Sequence, residues 1–180
     1  MSDIEGLLAA IERARDQVLR EVSGLNAALI YQRPSPEGWS IAQIIEHLVL
    51  SESSGIAGLW RVADVARSGG GPPPLNPTVA ARSLDQIFAE LPRRVDAPEA
   101  VRPEAGGRPV RFWMARLRTH STLLAALGRE LREVGPECVI FPHFVAGPLD
   151  GRQRLGFFRW HLERHLDQIR RTREAVSASA

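Results

Sequence analysis

The 180-residue chain has a single cysteine, Cys138. An internal disulfide is therefore excluded, and so is any zinc site built on a pair of cysteines. A surplus of either charge is also missing: 23 Lys+Arg stand against 21 Asp+Glu, a formal net charge of +2. Its many arginines raise the isoelectric point without making a dominant basic patch, so no nucleic-acid partner is expected. No run approaches the roughly 20 apolar residues that span a bilayer. The opening, MSDIEGLLAAIERARDQ, is amphipathic and mixed in charge; it has neither the basic start nor the unbroken apolar core of a signal peptide. No membrane partner is expected, and a cytoplasmic location is the simplest expectation. No stretch reads as a convincing strand.

What the chain does have is helical periodicity. A hydrophobic fraction of 44% is ordinary for a globular protein, and the length suits one domain, expected over residues 1–176 with a frayed tail at 177–180. The first helix should follow Ser2 and Glu5, an S-x-x-E capping box, with Ile4, Leu7, Leu8, Ile11, Val18, Leu19 and Val22 on one stripe. In the second, Ser40 and Gln43 form S-x-x-Q between the staple positions Trp39 and Ile44. That box predicts a start near Ile41 and places His47 about two turns inside. SGGGPPP predicts the end near Arg67.

The third helix should run from Pro109 to the Gly135-Pro136 stop, with Trp113, Leu117, His120, Leu124, Leu127 and Leu131 as its seam. The fourth should run from about Gly151 to Val176, with Asp150 as N-cap. Between the second and third lies a Pro- and Gly-rich crossover, roughly 68–108, in which Ser83 and Gln86 predict a short helix carrying Ile87, Phe88 and Leu91. Another irregular stretch, PECVIFPHFVAGPLD, joins the third and fourth helices. The predicted fold is all-α: a four-helix bundle with one long connection.

His161 and His165 stand four residues apart in WHLERHLDQI. On a helix they differ by about 40° in direction, so both can reach one ion. Glu163 points away, and H-L-E-R-H lacks the glutamate placement of an H-E-x-x-H metalloprotease. The pair can equally be boundary histidines hydrogen-bonded to their neighbours. A third histidine, His47, faces inward from another helix. Three neutral imidazoles plus water make an open metal shell. Gln168 is placed to hydrogen-bond His165 from behind, or to be a solvated helix residue.

The remaining candidates carry two readings each. His120 is a fourth ligand, a proton-transfer group, or a buried histidine with one partner. His143, in FPHFVAGP, lines the mouth of a site or lies in a surface loop. Cys138 reads as a buried thiol before a nucleophile. Glu46 and Glu52 flank His47 as bases, ligands or solvated charges. Gly55 and Gly58 permit close approach, and the four tryptophans furnish packing area.

EGWSIAQIIEHLVLSE, followed far downstream by GPLDGRQRLGFFRWHLERHLDQIRR, resembles the DinB-like superfamily, which includes YfiT-like metal-dependent hydrolases. The similarity covers most of the chain except 68–108. The resemblance implies an up-up-down-down bundle, often a homodimer, whose divalent metal is held by His47, His161 and His165. Gln168 matches the glutamine after the last ligand; His143 aligns loosely ahead of the last helix, and His120 has no clear counterpart. Relatives include thiol-dependent S-transferases and a mycothiol isomerase; the isomerase branch adds a C-terminal domain, so it is not the expectation here. The resemblance thus implies a metal-dependent enzyme for a small-molecule substrate, with Zn²⁺ or Ni²⁺ activating a low-molecular-weight thiol or water. Arg116 and Arg118 would then be candidates for an acidic substrate. The alternative is a non-catalytic metal- or ligand-binding, stress-linked protein.

Overall fold

Both S-x-x-Q boxes form. In the computed structural model, which describes residues 3–90, 96–104 and 107–178, Ser40 accepts from the Gln43 N–H while the Gln43 side chain accepts from Ser40 N–H. The same reciprocal pair joins Ser83 and Gln86. Each satisfies two backbone donors that a helix start leaves without intrahelical partners. The elements are α1 (Asp3–Ser23), α2 (Ala27–Tyr31), α3 (Ile41–Arg67), α4 (Pro77–Ala80), α5 (Leu84–Ala89), α6 (Val110–Val134) and α7 (Gly151–Ala178), with β1 (Phe141–His143) and β2 (Gly147–Leu149) between the last two. Ser2, expected to cap α1, lies outside the described residues, as do Leu91 and the last two residues of the tail.

Other boundaries follow local chemistry. Asp150 caps α7: its Oδ1 accepts from Gln153 N–H at 2.8 Å, and the Gln153 side chain accepts from Asp150 N–H. Pro109 occupies the N-cap of α6 and offers no side-chain acceptor. The Tyr31 hydroxyl takes that role, accepting from Val110 N–H at 3.1 Å. At the other end Gly135 adopts φ 85° and caps α6, a conformation glycine enters without a Cβ clash.

Helices α1, α3, α6 and α7 are the long ones. Helix α1 packs against α6 and α7, and α3 packs against the same two, so the four close into a ring around one apolar core. The predicted seam of α6 is buried along its whole length. Each buried leucine of that seam contributes roughly 1.5–3 kcal/mol relative to exposure. None of the described helices is long and apolar enough to cross a membrane.

The stretch expected to be irregular contains a small antiparallel hairpin, with Phe141 opposite Leu149, Pro142 opposite Pro148 and His143 opposite Gly147. Strands of three residues are too short for an alternating pattern to register, and two prolines obscured the pairing. The crossover folds back on the bundle. Its helix α5 packs on α7, and the 3-10 turn Glu99–Val101 packs on α3. These two contacts place crossover residues beside the histidines.

Candidate metal centre

The capped start of α3 sets His47 on the inward face, where it is buried. Its Nδ1 lies 2.8 Å from the carbonyl oxygen of Val101, on the crossover. A carbonyl can only accept, so the proton sits on Nδ1 and the Nε2 lone pair is bare. One helix away, His165 Nδ1 lies 2.7 Å from Gln168 Oε1, which fixes the same tautomer. His47 Nε2 and His165 Nε2 both point at His161 Nε2, at 3.2 and 3.0 Å. A neutral His161 can donate one proton there at most. At least one of the two contacts is therefore lone pair against lone pair.

All three imidazoles are held neutral. Burial drives the His165 pKa down to about 3, with the nearby His47 adding to the effect and Gln168 opposing it. Burial also lowers His161 well below its ordinary value, helped by His165 and His47. His47 is lowered by burial and partly restored by its bond to Val101. Neutral imidazole is the form that binds metals.

The three ring nitrogens lie within 4.8 Å of one another. Ligands about 2.0–2.1 Å from a tetrahedral ion stand roughly 3.3 Å apart, close to the two shorter contacts. The donor set fits a divalent ion: three converging ring nitrogens, with His47 and His165 hydrogen-bonded from behind. Trp39 packs over His47, its ring 4.9 Å away.

His143 lies near this group but outside it. Buried in the hairpin, its Nδ1 accepts from the N–H groups of Val145 and Ala146, which leaves Nε2 as the donor. Burial, then the neighbouring Arg154, lowers its pKa to about 4. Between them stands Phe157, 4.5 Å from the His143 ring and stacked on His161 at 5.1 Å. Phe88 of α5 stacks on Trp160 at 4.1 Å and on Phe157 at 5.6 Å, covering this side.

His120 goes elsewhere. Its Nδ1 meets Glu52 Oε2 at 2.8 Å and its Nε2 meets Ser53 Oγ at 3.0 Å. The other Glu52 oxygen accepts from the fully buried Arg15 at 2.6 Å, and Arg15 also reaches Glu12 and Ser121. This network ties α1, α3 and α6 together away from the three histidines. Glu46 is buried against the crossover, its carboxylate beside Gly107 and within 3.5 Å of Glu104 N–H; burial raises its pKa. Gly55 and Gly58 leave room for Phe158 and Phe141 respectively. Cys138 is half-buried with no partner thiol. Arg116 and Arg118 are exposed on α6.

Two participants had no sequence signal that reached them. The Val101 carbonyl is a main-chain group in the least patterned part of the chain. Arg154 lies on the histidine stripe of α7 and is buried; its only hint was its place two turns before His161.

A family model described as the DinB superfamily matches residues 10–169. No curated protein and no solved structure matches the chain.

Proposed function

The chain belongs to the DinB superfamily, and from that premise we propose that His47, His161 and His165 hold a divalent ion, zinc or nickel, in a metal-dependent enzyme for a small-molecule substrate. One observation carries the reading. Two imidazoles, each locked by a partner behind it, present bare Nε2 lone pairs to a third at 3.0–3.2 Å, an arrangement that is repulsive until a cation joins it. When bound, such an ion acts as a Lewis acid and brings a thiol or water into its ionised range near neutral pH.

The chain's own residues do the rest. Val101 and Gln168 hold the His47 and His165 rings in orientation and raise their basicity. Phe88, Phe157 and Trp160 form a stacked apolar wall beside the half-buried His161, which limits water on that side and strengthens charge interactions there. His143, with its proton on Nε2, supplies a neutral hydrogen-bond donor next to that wall.

The test is the metal content of untagged protein beside a His165→Ala variant, followed by S-transfer and hydrolase screens of the loaded protein. About one ion per chain, lost in the variant, is expected. Protein that takes up neither zinc nor nickel on incubation sinks the proposal. An ion held without turnover in any screen leaves a metal-binding module.

A further inference from the structure

Arg154 is a buried cation without a counter-ion among the described residues. Only 5% of it is exposed, and its side chain makes no hydrogen bond or ion pair with any described residue. Its Nε is sealed off unsatisfied. Its guanidinium carbon lies 4.7 Å from the Phe141 ring centroid and 5.4 Å from that of Phe157. Such contacts recover only a fraction of what removing a guanidinium from water costs. Burial lowers its pKa to about 10, and no carboxylate of a described residue acts against that fall.

Its position gives the surplus charge a direction. Arg154 precedes His161 by seven residues on α7. Seven residues are close to two full turns, so both side chains leave the same face about 10 Å apart along the axis. Phe157 bridges them, stacked on His161 and beneath the guanidinium. His143, another donor, flanks the same ring. Opposite, α3 presents Gly55, where even a methyl group would come within 3.2 Å of Arg154 Nη2. Donors and a cation lie along this face of α7, and no acidic side chain of a described residue is paired with Arg154.

We infer that Arg154 binds the anionic end of the substrate: a small molecule whose carboxylate, or similar oxyanion, seats against the guanidinium while its reacting group lies two helical turns away at the three histidines. This rests on the metal-site reading and names the class of molecule that site takes. A planar carboxylate suits the guanidinium fork, which binds it through two parallel hydrogen bonds. The elements packed over this face, the hairpin carrying Phe141 and the six-residue α5 carrying Phe88, are short and open more readily than the long helices. Arg154 is a binding residue on this account and takes no part in bond making.

The experiment uses the full chain in two states. In metal-free protein, the Arg154 side-chain Nε–H signal is followed by NMR during titration with hexanoate, hexanol, and no ligand. In cobalt-loaded protein, visible absorption is followed during titration with mercaptohexanoate or mercaptohexanol. Arg154→Met and Arg154→Lys are run in parallel. We expect hexanoate alone to move the Arg154 signal saturably. We expect mercaptohexanoate to bind about tenfold tighter than the alcohol, the scale of one charge-assisted hydrogen bond. That preference should vanish in Arg154→Met and survive in part in Arg154→Lys.

Arg154→Met should also match or exceed the parent in thermal stability, because it removes an unpaired buried charge. A parent that treats acid and alcohol alike in both states overturns the inference, as does a preference that persists in Arg154→Met. Loss of fold in Arg154→Met together with an unmoved Arg154 signal in the parent assigns the residue to packing and overturns it too. Cobalt uptake separates the two readings: no uptake with a hexanoate response at Arg154 removes the metal and leaves the anion site. Uptake without acid preference does the reverse.

Discussion

Gln168 Oε1 stands 2.7 Å from His165 Nδ1, and this contact decides which nitrogen of His165 faces the other two histidines. Replacing Gln168 by alanine frees the ring to turn and to change tautomer. Metal affinity should fall about 10- to 100-fold, read by competition with a chromogenic chelator. Gln168→Glu keeps an acceptor and should stay nearer the parent. Equal affinity in all three proteins would show that the contact orients nothing.

Metal binding should also appear as stability. At a free-ion concentration about 1,000 times Kd, an ion held only by the folded chain raises unfolding free energy by about 4 kcal/mol. A chelator should remove that increment from the parent and leave His165→Ala unchanged, as followed by denaturant midpoints.

The Arg15–Glu52 pair makes a separate prediction about the core. Both side chains are buried, so removing Arg15 leaves the buried Glu52 carboxylate with only His120 and no permanent cation among its described partners. Arg15→Met should lose about 3–5 kcal/mol, and Arg15→Met combined with Glu52→Gln should regain much of it. Urea titrations of the four proteins in the cycle measure the coupling directly; strict additivity would refute it.

Two glycines in helices should respond in opposite directions. A Cβ on Gly58 would lie 2.2 Å from the Phe141 ring, so Gly58→Ala should cost about 1–3 kcal/mol through overpacking. A Cβ on Gly6 in α1 meets nothing within 4 Å, and Gly6→Ala should stabilise by about 0.4–1 kcal/mol. Melting temperatures of the two variants give the sign of each.

Acid should weaken the metal-free protein through its buried histidines. His143 has a folded pKa of about 4 against about 6.5 when unfolded. Between those values the unfolded chain binds the extra proton, so its contribution is full above pH 6.5 and is lost as pH falls toward 4. The total is up to about 3 kcal/mol. His143→Asn keeps an acceptor for Val145 and Ala146 but cannot titrate. Its stability should fall less steeply over that window, and parallel curves would show that His143 is not protonated on unfolding.

The sequence was most readable where chemistry is local. Ser40 and Gln43 cap their helix within four residues, and that short-range event aims His47. His161, His165 and Gln168 lie within eight residues on one helix, so periodicity alone relates them. Glu52 meets Arg15 across 37 positions and His120 across 68, and no local pattern encodes such distances. Glu52 and Arg15 look like any solvated helix charges until folding buries both. Arg154 hid for the same reason, since arginine on a helix is ordinarily at the surface. The Phe141–Leu149 hairpin was obscured by its two prolines, which signal loops more often than strands.

The bond from His47 to the Val101 carbonyl has a consequence for how this protein can vary. A main-chain acceptor has no side chain to lose, so most substitutions at residue 101 leave the acceptor in place. The crossover can therefore drift in composition while continuing to hold one imidazole in register. What it cannot change freely is its length or the path of its backbone at residues 99–101. Insertions there would disturb the histidines more than any single replacement.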